Sequence, residues 1–173
     1  MKLSYCMHRR GKVEPMKLLI LSDSHKTMTY MCQAVEQVQP HGIVHLGDHE
    51  RDAVRLHTRF PEIPLWSVSG NCDVGAAPLC IVENIEGVRF YMAHGHTLGV
   101  KYGLLRAELA AREAQANVLL FGHTHQSLCD WHNGLWTVNP GTCCGRGRIT
   151  YAVIDVSQGQ IRPEIREIRT EVL

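Results

Sequence analysis

The segment MKLLILSDSH, residues 16–25, sets the fold of this chain. Its continuous apolar run, Leu18 to Leu21, suits a β-strand that is buried on both faces, as in the parallel sheets of α/β proteins. Asp23 and His25 follow at once, where a strand gives way to a loop. The segment therefore predicts a buried strand that delivers polar side chains to one edge of a sheet.

The same arrangement, an apolar run followed by a short polar motif, recurs four more times. The motifs are Gly47-Asp48, Gly70-Asn71-Cys72-Asp73, Ala93-His94-Gly95-His96 and Gly122-His123-Thr124-His125. Ligands of open α/β sheets bind beyond the carboxyl ends of strands, so we expect these motifs on one rim. Residues i and i+2 of extended backbone point to one side, so each Asp-x-His or His-x-His pair should face one cluster. The glycines allow the backbone to turn sharply near a ligand.

Seven side chains in these motifs are candidate metal ligands: Asp23, His25, Asp48, Asn71, His94, His123 and His125. If Asp48 is shared, the set supplies four contacts to each of two ions and leaves positions open for solvent, as catalytic ions require. Imidazole and carboxylate ligands together favour Mn, Fe, Zn or Ni over Ca. Two divalent ions leave a net positive charge that attracts phosphate oxygens, so phosphate-ester hydrolysis is the predicted reaction.

Each motif alone has a simpler interpretation. A single Asp at a strand end is usually a turn or helix-capping residue, and a single His is usually hydrogen bonded at the surface or in the core. Five motifs, each placed after an apolar run, do not readily arise together by chance. The metal-centre interpretation is therefore favoured for the set, although a motif match remains a hypothesis.

The spacing of apolar residues predicts alternating strands and helices in the first half of the chain and mainly strands in the second. Strands at 17–21, 43–46 and 65–68 alternate with helices at 29–39 and 50–58, which is typical of βαβ units. The strongest helix is predicted over 99–115. Two layers of sheet with helices outside would accommodate these elements. Further strands are predicted at 79–85, 88–93, 118–121, 127–131, 135–138, 149–156 and 160–168.

Length and composition are those of one ordinary globular domain. The chain has 173 residues and a formal net charge of +1 without a Lys or Arg block, so we expect no extended nucleic-acid binding. No apolar run approaches the roughly 18 residues of a membrane span, and no signal-peptide core is present, so the predicted location is cytoplasmic. Residues 1–15 are expected to form an N-terminal extension and residues 16–173 a single domain. Seven scattered cysteines without a CxxC pair indicate reduced thiols.

The five motifs, followed by Asn139-Pro140-Gly141, stand in the order found in the calcineurin-like metallophosphoesterases. From Met16 to about Ile168 the chain resembles the small YfcE/MJ-type phosphodiesterases, a branch that also includes the retromer subunit of eukaryotes. The resemblance implies a four-layer αββα sandwich, in which two mixed sheets are flanked by helices and the metals lie at one edge.

The resemblance also implies how two divalent metal ions would be held, with Mn²⁺ preferred and Fe, Zn or Ni as alternatives. The first ion would have the ligands Asp23, His25, Asp48 and His125. The second would have Asp48, Asn71, His94 and His123. A hydroxide bridging the ions would attack phosphorus in line, because metal binding lowers the pKa of water to about 7. The predicted catalytic residues are Asp48, Asn71, His94 and His96.

One position departs from the wider superfamily. Many members carry His after the metal-binding Asn, but this chain has Cys72, and a thiol is a weak hydrogen-bond donor. The group that protonates the leaving group therefore stays open: Asp73, His96 and His49 take this role, support the ligands or lie exposed to solvent. The predicted substrate is a small phosphodiester or nucleotide-like molecule. The alternatives are a phosphomonoesterase and a low-activity protein-binding scaffold like the retromer subunit, and a homo-oligomer is the base-rate expectation.

Overall fold

Ten strands and three helices make up the described part of the chain, residues 14–75, 77–144 and 147–168 of a computed structural model. The helices are α1 (Met28–Val38), α2 (Glu50–Arg59) and α3 (Leu105–Glu113). The strands are β1 (Met16–Leu21), β2 (Gly42–His45), β3 (Leu65–Ser67), β4 (Cys80–Ile85), β5 (Val88–Ala93), β6 (Val118–Leu120), β7 (Leu128–His132), β8 (Leu135–Asn139), β9 (Thr150–Ser157) and β10 (Gln160–Glu167).

The strands form two mixed sheets of five strands each. The first sheet has the order β10-β9-β1-β2-β3, in which β1, β2 and β3 are parallel and β9 is antiparallel to its neighbours. The second sheet has the order β4-β5-β6-β8-β7, in which β5, β6 and β8 are parallel and the two edge strands are antiparallel. The parallel strands at the centre of both sheets end at the same rim of the molecule, where the polar motifs lie.

Three apolar layers hold the sheets and helices together. The central layer contains residues of both sheets, among them Ile20 and Val44 of the first and Phe90 and Leu120 of the second. A second layer packs α1 and α2 against the outer face of the first sheet, and a third packs α3 against the second sheet. The arrangement is the predicted four-layer αββα sandwich, and that prediction is confirmed.

Strand β1 explains why residues 18–21 are apolar without a break. Leu18 and Ile20 belong to the central layer between the sheets, whereas Leu19 and Leu21 belong to the layer under α1 and α2. All four side chains have no exposed surface. Because successive side chains of a strand point to opposite faces, a strand covered on both faces needs apolar residues at every position.

The prediction of a helix over 99–115 places its beginning too early. Helix α3 starts only at Leu105, after a separate 3-10 turn at His96–Leu98. Gly99 and Gly103 have φ angles of +66° and +143°, which a helix does not contain. The remaining predicted elements occur, with ends that differ by at most one residue.

The predicted N-terminal extension lies largely outside the described residues, since residues 1–13 are not described. Pro15 precedes β1 directly, so the described chain enters the sandwich at its central strand. No helix within the described ranges is long and apolar enough to span a membrane.

Candidate metal centre

The motif residues reach the rim through sharp turns rather than through extended strand ends. Asp23 and His25 have φ angles of +54° and +43°, and His123 and His125 have +66° and +58°. These values lie in the left-handed region, so the prediction that each pair aligns through extended backbone is wrong. The Asp23 and His25 side chains still meet in one group, whereas His123 and His125 face different groups.

The first group contains two carboxylates and two imidazoles. One possible ligand atom from each of four side chains lies within 4.8 Å of the others: Asp23, His25, Asp48 and His125. Nε2 of His125 is 3.1 Å from Asp23 Oδ1 and 3.4 Å from Nε2 of His25. Nε2 of His25 is 3.8 Å from Asp48 Oδ2. Asp23 and Asp48 are buried, whereas His25 and His125 form the open side of the group.

The second group gathers around Nε2 of His94, a fully buried side chain. This nitrogen is 3.2 Å from Asn71 Oδ1, 3.2 Å from His123 Nδ1 and 3.5 Å from Asp48 Oδ1. Asp48 therefore touches both groups, with Oδ1 directed to the second and Oδ2 to the first. All seven predicted ligands come together at one site, and their role as ligands stays a prediction.

The nitrogen and oxygen atoms that meet in the second group are suited to binding a cation. Nδ1 of His94 is 2.7 Å from the Leu46 carbonyl oxygen, which only accepts, so this nitrogen carries the proton. In the neutral ring Nε2 then presents a lone pair to carboxylate and amide oxygens that are acceptors too. Acceptors that face one another at this spacing repel unless a positive charge lies between them. Asp23 Oδ1 in the first group is likewise a buried oxygen, and it faces Nε2 of His125 at 3.1 Å.

Burial and hydrogen bonds within the site raise the pKa of some of its side chains and lower the pKa of others. Burial alone would raise the pKa of Asp23, but the combined effect of His125, His94 and Ser22 outweighs it and lowers that pKa. The hydrogen bond to Asp23 raises the pKa of His125. Burial lowers the pKa of His25, His96 and His123, which favours their neutral, ligand-competent rings.

Two glycines are required because atoms of neighbouring loops come very close to them. A Cβ atom on Gly70 would collide with the carboxylate and backbone of Asp48, and one on Gly122 would collide with the Ser22 hydroxyl. Neither glycine is needed for an unusual φ angle, so close approach is the reason for their presence. The loops that carry Asp48 and Asn71 are thereby packed directly against each other.

Several polar residues outside the predicted set hold the site loops in place. Thr142 Oγ1 donates to the Asp23 carbonyl oxygen at 2.9 Å, and Asn139 Nδ2 donates to the Gly122 carbonyl oxygen at 3.1 Å. Asp52 lies in α2 yet is 1% exposed and accepts from Ser24 Oγ at 2.8 Å. Sequence reasoning missed Asp52 and Thr142. The available signal was only a carboxylate at a core-facing helix position, flanked by apolar Ala53 and Leu56.

The three residues considered for proton transfer occupy different places. Asp73 accepts from the backbone N–H groups of His49, Glu50 and Gly70 at 2.7 to 2.8 Å. Although burial acts to raise the pKa of Asp73, these N–H groups lower it, so the carboxylate is a structural cap of α2. His96 packs its ring 5.3 Å from His94, and His49 packs its ring 5.2 Å from His25. Only the two histidines lie against the candidate ligands.

Cys72 lies at the surface of the site. Its backbone N–H donates to Asp48 Oδ1 at 2.9 Å, and its thiol accepts from Asn71 Nδ2 at 3.4 Å. Burial and the neighbouring Asp48 raise the pKa of the Cys72 thiol. The residue therefore holds Asp48 through its backbone and carries a neutral side chain.

A two-sheet sandwich whose strand ends gather carboxylates and imidazoles around a shared aspartate defines a metal-dependent hydrolase. The family model described as "Calcineurin-like phosphoesterase superfamily domain" matches residues 16–159, and the chain belongs to that superfamily. The predicted family and the predicted enzyme class, a metal-dependent phosphoesterase, are confirmed at this level.

Individual relatives agree with this assignment. A Bacillus subtilis protein named "Probable metallophosphoesterase YsnB" is 31% identical over 73% of this chain and 75% of its own length. A phosphodiesterase of Methanocaldococcus jannaschii is 24% identical over 88% of this chain and 100% of its own length. The structure of vacuolar protein sorting 29 from Cryptosporidium parvum matches with a TM-score of 0.71 and 16% identity, covering 91% of this chain and 100% of that chain. At that identity the likeness concerns the fold alone.

Proposed function

We propose that the protein is a phosphodiesterase with two divalent metal ions, preferentially Mn²⁺, that share Asp48. The observation that carries the proposal is the close approach of Asn71 Oδ1, His123 Nδ1 and Asp48 Oδ1 to Nε2 of His94, next to the four-residue group at Asp23. One ion would be held by Asp23, His25, Asp48 and His125. The other would be held by Asp48, Asn71, His94 and His123. When bound, such ions neutralise phosphate charge and lower the pKa of water towards 7.

Water rather than a side chain is the nucleophile in this proposal. The thiol nearest to the site, Cys72, has a raised pKa and is therefore a poor nucleophile at neutral pH. The chain's own contribution is to fix the ligands: Cys72 N–H holds one oxygen of Asp48, and the Leu46 carbonyl fixes the tautomer of His94. Orientation of ligands by such hydrogen bonds typically changes metal affinity or activity by roughly 10- to 100-fold.

His96 is the proposed contact for the phosphate group. His96 begins the 3-10 turn, and its ring lies 5.3 Å from the ring of His94 and 6.2 Å from the ring of His123. Its Nδ1 is a buried atom without a hydrogen bond among the described residues, and its pKa is lowered by burial. A neutral ring in this position donates one N–H to a phosphate oxygen without repelling the ions.

A diester is favoured over a monoester because Cys72 stands where a histidine would protonate the leaving group. A neutral thiol is a weak donor, so the rate depends on how well the alcohol leaves without help. We expect faster hydrolysis of an aryl diester such as bis-p-nitrophenyl phosphate than of an alkyl phosphate monoester. Comparable rates on the two substrates would contradict this preference and favour the phosphomonoesterase.

The test of the proposed function combines metal analysis with hydrolysis of bis-p-nitrophenyl phosphate by the Mn²⁺-loaded protein. Asp48→Asn removes the shared carboxylate and should reduce activity at least about 100-fold, more than the loss of a supporting hydrogen bond. Asp130→Asn, a matched change at an exposed position of β7, should leave activity within about twofold. Absence of activity in the metal-loaded wild type would instead favour the scaffold alternative, because a vacuolar protein sorting protein has a similar fold.

A further inference from the structure

A cleft of about 370 Å³ opens beside the metal centre, between the start of α2 and the loop that follows β3. Three basic side chains line it, Lys26, Arg51 and Arg55. His49 and Cys72 form the wall towards the metal centre. We call this feature the basic cleft.

The basic cleft is continuous with the proposed metal site. The ring of His49 lies 5.2 Å from the ring of His25, a candidate ligand. The backbone N–H of Cys72 donates to Asp48 Oδ1 at 2.9 Å. A molecule whose phosphorus lies over the metal centre would therefore extend past His49 and Cys72 directly into the cleft.

Two of the acidic residues around the cleft are engaged by the protein itself. Asp52 Oδ2 accepts from Ser24 Oγ and from the Lys26 backbone N–H, both at 2.8 Å. Asp73 Oδ1 accepts the backbone N–H groups of His49 and Glu50 at the start of α2, and its Oδ2 accepts that of Gly70. These carboxylates serve the loops and the helix start. These neutral donors leave both carboxylates charged, but they hold the carboxylate oxygens on the loops and on the helix start.

The basic side chains, in contrast, have few partners. Among the described residues, Lys26 and Arg51 make no ion pair, and Arg55 makes only a long one of 3.9 Å to Asp52. Glu50 is the remaining acidic group of the lining. The lining therefore holds three cations and three carboxylates, of which Asp52 and Asp73 are held by hydrogen bonds within the protein. Lys26 and Arg51 remain as exposed cations in the cleft, and exposed Arg and Lys side chains of this kind recognise phosphate oxygens.

We propose that the basic cleft binds a second phosphate group, carried by one alcohol arm of the phosphodiester that is cleaved. This inference rests on the proposed phosphodiesterase function and specifies its substrate class. Arg51 and Arg55 are the specificity-determining residues. They lie one turn apart on α2, at positions i and i+4, and so face the same side of the helix.

The test compares two diesters that differ only in the second phosphate. Thymidine 5′-(4-nitrophenyl phosphate) lacks it, and the same compound with a 3′-phosphate carries it. For the Mn²⁺-loaded wild type we expect kcat/KM to be roughly tenfold higher for the second compound, equivalent to about 1.4 kcal/mol. The double variant Arg51→Ala/Arg55→Ala should bring this ratio close to 1 and leave hydrolysis of bis-p-nitrophenyl phosphate within about twofold.

The matched control is Arg59→Ala, which removes a positive charge from the other end of α2, where Arg59 pairs with Glu36. It should keep the full preference. As a readout other than turnover, the wild type should bind thymidine 3′,5′-bisphosphate about tenfold more tightly than thymidine 5′-phosphate, and the double variant should bind both equally. The wild-type preference should also weaken as salt screens the exposed charges.

The outcomes separate the two proposals. Hydrolysis of all three diesters without a preference for the second phosphate, or with a preference that survives in the double variant, overturns the basic-cleft proposal and leaves the phosphodiesterase standing. Equal binding of the two thymidine nucleotides by the wild type overturns it as well. No hydrolysis of any diester by the metal-loaded wild type overturns the proposed function, and the basic-cleft proposal with it.

Discussion

Five of the seven candidate ligands have left-handed backbone. Asp23, His25, Asp48, His123 and His125 have φ angles between +43° and +66°. Such conformations cost about 1 kcal/mol or more for a residue with a side chain, and they persist where the surroundings determine them. Gly70, Gly122 and the hydrogen bonds of Asp23 supply those surroundings. Contacts within the protein therefore determine the backbone conformation of the site.

The residues that meet at the site could be predicted from the sequence, but the way in which they converge could not. Each motif shows in the sequence which residue types it contains and that it follows a predicted strand. The left-handed turns at Asp23 and His123 have no local signal, because Asp and His adopt both extended and left-handed conformations. The contacts that impose the turns come from residues far along the chain, such as Thr142 on Asp23.

His45 gives a residue-scale prediction about pH. It is fully buried, and burial lowers its pKa to about 4. Gly47 N–H donates to Nδ1 of its ring, so a second ring proton would meet another donor. In the unfolded chain His45 has an ordinary pKa near 6.5. Between pH 6.5 and 4 it therefore binds a proton there that it does not bind in the folded protein. Stability from this residue is complete above pH 6.5 and is lost as pH falls towards 4.

His45→Asn keeps an acceptor for Gly47 N–H and cannot be protonated in this range. Between pH 6.5 and 4, the metal-free wild type should lose up to about 3 kcal/mol more unfolding free energy than the variant. Urea unfolding of both proteins with a chelator present measures the difference, and the other titrating groups cancel in the comparison. Parallel pH profiles would show that His45 is not held neutral by the fold.

At the scale of secondary-structure elements, the helices and strands with strong periodicity were predictable. β1 was recognised because both of its faces are buried, and α1 because Met31, Ala34, Val35 and Val38 lie on one face. The failure at α3 has a local cause. Residues 99–104 contain two glycines with positive φ angles, which end a helix. The helix was predicted across them because the whole segment is rich in helix-forming residues.

Gly103→Ala distinguishes the observed structure from the predicted helix. In a helix over 99–115, alanine in place of glycine would stabilise the protein by up to about 1 kcal/mol. With φ at +143° and no neighbouring atom within 4 Å of the added Cβ, the change instead imposes backbone strain alone. We expect a loss of about 1 kcal/mol or more in unfolding free energy, measured by urea titration. A stabilised variant would mean that the helix begins earlier.

At the scale of the whole molecule, the site exists because two sheets end at one rim. Asp23, Asp48 and Asn71 come from the first sheet, whereas His94 and His123 come from the second. The two sheets and their strand order follow from long-range pairing, such as β9 beside β1, which no local pattern reveals. The motif order supplied the family and hence the sandwich. The basic cleft depends on side chains between the motifs and was not predicted.

Metal binding should therefore stabilise the folded protein as a whole, because the ligands meet only after both sheets have formed. At a free Mn²⁺ concentration 100 times the dissociation constant, the gain is about 2.7 kcal/mol per independent site. For a chain of this size this raises Tm by roughly 5–10 °C. Thermal unfolding with and without Mn²⁺ measures the shift. Asp48→Asn should lose most of it and Asp130→Asn none, and equal shifts in all three proteins would place the bound metal elsewhere.

Anomalous scattering from crystals of the Mn²⁺-loaded protein shows whether two metal ions share Asp48. We expect two manganese peaks per chain. One should contact Asp23, His25, Asp48 and His125, and the other Asp48, Asn71, His94 and His123. A single peak at full loading, or two peaks of which only one contacts Asp48, would show that the two ions do not share this carboxylate.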